Sequence, residues 1–353
     1  MSAHALRCFF GNSRRDAAIF FGLCLVVAAC DRAPAGSPTE PETITSDVAG
    51  TATEAATNSW ATRRSLTPWR KSMAAGTING IVYVVGGQRR DGVALARVDA
   101  YNVATNTWSQ VASLPGARVD PNGASMINGK LYVTGGSNGA GNRTRTLFVY
   151  DPGTNRWSRK ADMPRVSCGG DQGVIGGRLY VYTGCYSANS MGNVFFRYNP
   201  GTDTWVTRAA PPVDHHRGAG TVVNGRFYLA SGFKLVQETP TNSEFEDLNA
   251  QLDVYNPATN SWTTRRNVQQ KVSGAAAASL DGKLFLAAGV SFENPSDLLQ
   301  VYDPVTNTWT MKAPLPNKHS DGAASVAGSR LFFVAGVEWL EPPGPSKFYA
   351  YTP

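Results

Sequence analysis

One eight-residue motif recurs along this chain and is divided between the two ends of the sequence. Its clearest copy, Tyr-Asp-Pro-Val-Thr-Asn-Thr-Trp at residues 302–309, holds tyrosine and tryptophan seven residues apart. Four other copies keep this spacing, at residues 101–108, 150–157, 198–205 and 255–262. A sixth copy is split: Tyr351-Thr352-Pro353 ends the chain, and Thr57-Asn58-Ser59-Trp60 lies near its start. Because the ends must meet to complete this copy, the pattern predicts a closed ring of repeats.

The repeats have a period of about 50 residues, which is the length of a four-stranded propeller blade. The motif tryptophans are 48, 49, 48, 57 and 47 residues apart. A second marker, a pair that contains glycine and ends a short apolar run, follows each tryptophan. These pairs are Gly86-Gly87, Gly135-Gly136, Gly184-Cys185, Ser231-Gly232, Ala288-Gly289 and Ala335-Gly336. Six copies of each marker predict six blades.

Within a repeat, the residues predict four short strands. A two-residue turn such as Asn128-Gly129 tolerates the positive φ angles of a tight hairpin. The strand before the turn is rich in small residues, as in residues 274–279, Gly-Ala-Ala-Ala-Ala-Ser, which suits six strands crowded around an axis. The tyrosines and tryptophans are expected to fill the space between blades, because large aromatic side chains bury much apolar area.

Together these residues resemble the kelch repeat: a glycine pair, then Tyr-Asp/Asn-Pro-x-Thr-x-x-Trp, then a proline-containing loop such as Ala313-Pro314-Leu315-Pro316. The resemblance covers residues 57–353. It implies an all-β, six-bladed kelch-type β-propeller whose last blade is closed by the N-terminal outer strand. It implies little about function, because the same fold serves many functions.

The N-terminal 29 residues are predicted to be a lipoprotein signal peptide. Three arginines precede a 13-residue apolar run, residues 17–29, which is too short to span a membrane. The run ends in Val27-Ala28-Ala29-Cys30, which resembles a bacterial lipobox and implies a lipid on Cys30. The alternative is an ordinary secretory signal. Residues 30–56 have almost no large apolar side chains, so we expect them to form a disordered tether in the bacterial cell envelope.

Charge and motifs disfavour several other classes of function. The formal charge of +7 is spread over 353 residues with no run of more than two Lys or Arg, so nucleic-acid binding is not expected. Neither a phosphate-binding loop nor a dinucleotide-binding motif is present. We therefore expect a monomer that needs no cofactor and contacts the membrane through its lipid alone.

Cys168 and Cys185 are predicted to form a disulfide. Each lies seven residues outward from the hairpin pair Ile175 and Arg178, so the two cysteines oppose each other in a non-hydrogen-bonded position. Export would provide an oxidising compartment. The alternative is two separate buried thiols.

The face that carries the long, variable loops, called here the loop face, is the expected binding surface. Alignment on the hairpin turns places one ring at the mouth of the axis: Lys71, Asp120, Cys168, His216, Ser273 and Ser320. The ring one residue earlier comprises Arg70, Val119, Ser167, His215, Val272 and His319, and the ring one residue later comprises Ser72, Pro121, Gly169, Arg217, Gly274 and Asp321. Candidate binding residues on this face are Arg70, Lys71, Arg118, Asp120, His215, His216, Arg217, Glu244, His319 and Asp321. A metal site at the three histidines is not favoured, because the adjacent His215 and His216 should point in opposite directions.

Blade 4 departs from the repeat. The interval between Gly232 and Tyr255 is 23 residues, against 13 to 15 in the other blades, and the added stretch is acidic. A long loop over a pocket often completes a site. The alternative is a tolerated surface insertion.

The sequence therefore predicts a membrane-tethered module that binds a protein or a carbohydrate through the loop face. The alternative is a carbohydrate enzyme that resembles N-acetylneuraminate epimerases. In that case Glu244 or Glu238 would act as the base, and Arg217 or Arg118 would hold a carboxylate.

Overall fold

The computed structural model describes residues 57–184, 193–238, 243–291, 294–338 and 344–353, with side chains described at all of these except 235–238 and 243–247. Contacts separate Glu54–Pro353, as one unit, from Met1–Thr53. The predicted signal peptide, the tether and Cys30 lie outside the described residues.

The second unit contains six four-stranded antiparallel sheets, each of which is one blade. Blades 1 to 3, from the axial strand outward, comprise Ala74–Ile78, Ile81–Val85, Val98–Asn102 and Thr107–Val111; Ala124–Ile127, Lys130–Thr134, Leu147–Asp151 and Arg156–Lys160; and Asp171–Ile175, Arg178–Tyr182, Phe195–Asn199 and Thr204–Arg208. Blades 4 to 6 comprise Ala219–Val223, Arg226–Ala230, Leu252–Asn256 and Ser261–Arg265; Ala276–Leu280, Lys283–Ala287, Leu299–Asp303 and Thr308–Met311; and Ala323–Ala327, Arg330–Val334, Ser346–Thr352 and Ser59–Leu66. The predicted six-bladed all-β propeller is confirmed.

Three short two-stranded sheets extend the blades. They pair Phe233–Glu238 with Ser243–Leu248, Val290–Ser291 with Asn294–Pro295, and His319–Ser320 with Val337–Glu338. The acidic insertion of blade 4 therefore forms a hairpin.

The ring closes through blade 6, as the divided motif predicts. Ser59–Leu66 pairs with Ser346–Thr352, and Trp60 lies opposite Tyr351. The Tyr351 hydroxyl bonds to Asn58 Oδ1 at 2.7 Å, which rebuilds the divided motif in space. The N-terminal outer strand thus completes the last blade.

The conserved spacing of the motif has a physical reason. In the copy at residues 302–309, the Tyr302 hydroxyl donates to Asn307 Oδ1 at 2.8 Å, and Asn307 has a φ of 54°. Trp309 Nε1 donates to the carbonyl of Arg266 in the preceding blade at 2.8 Å. The tyrosine thus fixes the turn and the tryptophan joins neighbouring blades, which explains the motif without any ligand.

Strand register corrects one predicted glycine pair. Asp171 pairs with Tyr182, as Ala74 pairs with Val85, so the pair in blade 3 is Thr183-Gly184 and not Gly184-Cys185. Glycine then occupies the second position in all six blades. A Cβ atom on Gly289 would lie 2.9 Å from the carbonyl oxygen of Ser273, closer than a side chain permits. The close approach of two backbones therefore selects glycine here.

Candidate functional site at the mouth of the axial channel

The six axial strands surround a cavity of about 860 Å³. Each axial strand is hydrogen-bonded on one side within its blade, so its other edge presents backbone N–H and C=O groups to the axis. Alanine, glycine, serine and threonine provide much of the wall, and none of the described residues that line it is Phe, Tyr or Trp. The cavity is therefore a polar channel that is wide enough for a small molecule.

Six residues form a ring where the channel meets the loop face, called here the mouth ring. They are Ser72, Asp120, Gly169, Arg217, Gly274 and Asp321, and all of them line the cavity. All six have positive φ angles, from 49° at Asp120 to 61° at Gly274. Among the described residues, five backbone hydrogen bonds join neighbouring members of this ring, as where Ser72 N donates to Asp321 O at 2.9 Å and Asp120 N donates to Ser72 O at 2.9 Å.

The mouth ring corrects the sequence alignment in blade 2. Alignment on the turns places Asp120 beside Lys71, whereas the structure pairs Val119 with Ser137 in the way that Lys71 pairs with Gln88. Blade 2 has one additional residue before its turn, near Gly123, whose φ is 143°. Asp120 therefore belongs with Ser72.

A second ring lies two residues earlier along each segment and is called here the buried ring. It comprises Arg70, Arg118, Ser167, His215, Val272 and His319, and their exposure ranges from 0 to 6%. Arg70, Arg118, His215 and His319 were predicted to bind ligand on the loop face. The structure corrects this, because their side chains are packed inside the propeller.

Two members of the buried ring pair with a buried aspartate. Arg70 Nη2 lies 2.5 Å from Asp99 Oδ2, with side-chain exposures of 0 and 2%. His215 Nε2 lies 3.1 Å from Asp253 Oδ2, and its Nδ1 lies 2.9 Å from Ser231 O. Burial favours a raised pKa at Asp253, but hydrogen bonds from His215 and neighbouring side chains outweigh it and lower the pKa.

The other two charged or titratable members of the buried ring contact aromatic rings. The Arg118 guanidinium lies 5.1 Å from the ring centre of Phe148. The His319 ring lies 5.7 Å from that of Phe333 and 5.6 Å from that of Tyr349. Neither His319 nitrogen has a hydrogen-bond partner among the described residues, and burial lowers the pKa of His319 to about 4.

The remaining candidate binding residues with described side chains lie at the channel mouth. Arg217 pairs with Asp321 across blade 5, where Gly274 has no side chain to obstruct the pair. A Cβ on Gly274 would lie 2.8 Å from Asp321 Oδ1 and 3.0 Å from Arg217 Nη2. Lys71 also lines the cavity. Burial raises the pKa of Asp120, although a Ser72 hydrogen bond and the nearby positive charges oppose it.

The three histidines do not converge on one point. His216 lines the cavity, and its Nδ1 contacts the carbonyl oxygen of Gly184, whereas His215 and His319 belong to the buried ring. Burial lowers the pKa of His216 to about 4, so its ring is neutral at neutral pH. Within the described part of the chain, no group of three or more His, Cys, Asp or Glu side chains could hold a metal ion.

Sequence reasoning missed Asp171, which lines the channel in blade 3. The equivalent residues are small in every other blade: Ala74, Gly123, Ala219, Ala276 and Ala323. Burial raises the pKa of Asp171 to about 7, although a hydrogen bond from the Gly220 N–H opposes the shift. Its Oδ2 has no hydrogen-bond partner among the described residues. A charged residue at a position where the other five blades have alanine or glycine is the signal that could have identified it.

Some predicted features lie wholly or partly outside the described residues. Glu244 lies in the strand Ser243–Leu248, but its side chain and that of Glu238 are outside the described set. Cys168 is disulfide-bonded, and Cys185 lies outside the described residues, so the pairing of these two cysteines stays a prediction. The described residues contain no helix with the length and apolar character needed to cross a membrane.

Comparison with known proteins identifies the family of the chain and supports its fold. The family model of the KLHDC2/KLHL20/DRC7 Kelch-repeats domain matches residues 124–336, and a Kelch motif model matches residues 70–115. No curated protein matches the chain. A solved structure described as "Structure of YjhT" is similar to it with a TM-score of 0.64 and 17% identity, over 81% of this chain and 95% of that one. At this identity the likeness concerns the fold alone.

Proposed function

Because the chain belongs to the kelch-repeat family of β-propellers, a fold that suggests a binding module, we propose that it recognises a protein or carbohydrate ligand at the mouth of its axial channel. The observation that carries this proposal is the cavity of about 860 Å³ with Lys71, Asp120, Arg217 and Asp321 at its mouth. Closure of the propeller does not require the three charges of the mouth ring, since other blades close with Ser72, Gly169 or Gly274 at the same position. Concave sites with a few convergent polar groups are typical ligand sites.

The proposal includes the position of the module in the cell. A lipid on Cys30 would tether the propeller to a bacterial membrane through residues 31–56, with the loop face free to meet a ligand. The support for this part is the lipobox-like sequence before Cys30. Replacement of Cys30 by Ser should release the protein from membranes and abolish fatty-acid labelling. Persistent labelling of that variant would contradict it.

A carbohydrate enzyme of the epimerase or mutarotase type is the second candidate. The observation that favours it is Asp171, a carboxyl with a pKa of about 7 in the same cavity as Arg217. General acid–base catalysis is most effective when the pKa of the catalytic group is near the working pH. In this version Asp171 takes the role that the sequence assigned to Glu244 or Glu238. Sugar anomer exchange, followed by NMR with wild type and Asp171→Asn, tests it.

A glycan array and an affinity pull-down, both with the propeller, test the binding proposal. Arg217→Ala should weaken binding of any ligand found and leave the fold intact. Arg217→Lys should restore binding only in part, because lysine lacks the paired donors of the guanidinium. Asn128→Ala, in a tight turn on the opposite face, is the matched control and should leave binding unchanged. A ligand bound equally well by the Arg217 and wild-type proteins would contradict the assignment to the channel mouth.

A further inference from the structure

Asp171 departs from the repeat in both chemistry and position. It is the first residue of an axial strand at a place where four blades have alanine and one has glycine. The Gly220 N–H of the next blade donates to its carboxylate. A Cβ on Gly220 would lie 2.8 Å from the Asp171 Cβ, so only glycine at 220 fits beside this side chain. The second oxygen, Oδ2, has no partner among the described residues.

The charge of this carboxylate has no cation paired with it in the described structure. Tyr182 is opposite Asp171 in the same blade and is uncharged, since burial raises its pKa. On the blade 4 side, His216 is neutral at neutral pH and Arg217 is paired with Asp321. On the blade 2 side, the mouth ring contributes Asp120, which is another acid.

We propose that Asp171 is the anchor for a primary ammonium group of a small ligand that enters the axial channel. The inference rests on the proposed function and gives its ligand a chemical class. An ammonium group would supply both the hydrogen-bond donor that Oδ2 lacks and a positive charge, neither of which the described residues around Asp171 provide. The cavity of about 860 Å³ accommodates an amino sugar or an alkylamine.

Proton linkage follows from the same geometry. The pKa of Asp171 is about 7 in the free protein, because burial disfavours its charged form. A bound ammonium group would stabilise the carboxylate and lower that pKa. Binding at pH 7 should therefore release about half a proton, and affinity should fall about tenfold per pH unit below 7.

Isothermal titration of the full-length protein with glucamine tests the proposal, because the amine of this probe stays protonated across the range. Titrations at pH 5, 6, 7 and 8, in two buffers of different ionisation enthalpy, give affinity and proton release together. Glucitol, which has a hydroxyl in place of the amine, is the uncharged comparison. Butylamine shows whether an amine without a sugar-like chain is enough.

The variants are chosen so that folding is preserved. Asp171→Asn keeps the shape of the side chain, and Asp171→Ala installs the residue found at this place in four other blades. Asp281→Asn, at an exposed tight turn on the opposite face, is the matched control. Both Asp171 variants should lose glucamine binding at least tenfold at pH 8 and lose its pH dependence, and the control should match wild type.

The outcomes separate this inference from the proposed function. Glucamine binding with proton release that both Asp171 variants abolish supports the anchor, with or without binding of butylamine. Equal binding of glucamine and glucitol, binding that survives Asp171→Asn, or no binding by wild type overturns it. A ligand from the glycan array that needs Arg217 but not Asp171 would overturn the amine anchor and leave the proposed function in place.

Discussion

The buried ring and the mouth ring lie two residues apart on the same six segments, yet they have opposite roles. Both vary from blade to blade and both contain charged residues. Members of the buried ring are 0 to 6% exposed and pack inside the protein. Members of the mouth ring line a cavity, and the Arg217 side chain remains 42% exposed although it is paired. A polar residue that differs from blade to blade therefore identifies a binding site only where its side chain remains accessible to a partner from outside the protein.

The partners of the buried ring follow a rule. In four blades, the residue of this ring contacts the side chain two positions before the motif tyrosine of the same blade. The four pairs are Arg70–Asp99, Arg118–Phe148, His215–Asp253 and His319–Tyr349. In the first three pairs a charged or polar group meets a complementary partner, whereas His319 packs against an aromatic ring with neither nitrogen hydrogen-bonded among the described residues.

The largest effect is expected when a buried pair loses one member. Asp99→Ala leaves the Arg70 guanidinium fully buried without its counter-charge, so the free energy of unfolding should fall by about 3–5 kcal/mol. Asp321→Ala removes the equivalent acid from the mouth ring, where the arginine is partly solvated, and should cost at most about 1 kcal/mol. Urea denaturation measures both.

The double change Arg70→Met with Asp99→Leu sharpens this prediction. Replacement of both partners by apolar side chains avoids a fully buried unpaired charge. Arg97, which also pairs with Asp99, has a side chain that is 32% exposed and can be solvated, so part of the lost stability should return. Equal destabilisation by Asp99→Ala and Asp321→Ala would remove the distinction between the two rings.

The next largest effect is expected from His319 in acid. Its pKa in the folded protein is about 4, below the ordinary value of 6.5, so the unfolded chain binds a proton that the folded protein excludes. Stability should therefore fall as the pH drops from about 6.5 to 4, by about 3 kcal/mol from this residue. His319→Phe should reduce that loss, and unfolding free energies at each pH measure it. The same measurement on His216→Asn provides a comparison, since His216 adjoins the mouth ring and also has a pKa of about 4. A His319→Phe curve parallel to that of wild type would contradict the prediction.

The sequence predicts the fold well because each blade repeats the same local chemistry. The Tyr302–Asn307 and Trp309–Arg266 contacts recur in form around the ring, so six weak signals agree. The site is harder to predict, because the buried ring and the mouth ring lie only two residues apart on each segment. The additional residue near Gly123 displaced Asp120, and the sequence pattern does not show that Arg70 and His319 are buried. Asp171 was missed because an aspartate at a position where the other blades have alanine or glycine indicates a site only when that position is known to face a channel.

A smaller effect is expected when the space above blade 5 is filled. Gly274 has a φ of 61°, and a Cβ there would press on the Arg217–Asp321 pair. Gly274→Ala should therefore cost about 1–2 kcal/mol, from the left-handed backbone conformation and the crowded pair. Adding Asp321→Ala should relieve the crowding and recover part of the loss, as measured by a double-mutant cycle in urea. Strict additivity of the two changes would show that the pair does not arch over Gly274.

The smallest effect on stability, with a large one on binding, is expected at Arg217. Its φ of 51° lies in the left-handed region, and glycine occupies the equivalent mouth-ring position in blades 3 and 5, at Gly169 and Gly274. Arg217→Gly should relieve about 1 kcal/mol of backbone strain. It also loses an exposed ion pair worth about 0.2–1 kcal/mol, and glycine carries its own entropic cost of about 0.5–1 kcal/mol. The net change in unfolding free energy should be within about 1 kcal/mol of zero. Ligand binding should nevertheless be lost, because the guanidinium at the channel mouth is gone. Backbone strain held at a position that glycine could fill is explained if the arginine serves a ligand. A loss of stability above about 2 kcal/mol in Arg217→Gly would instead place Arg217 with the buried ring, as a residue that the fold needs.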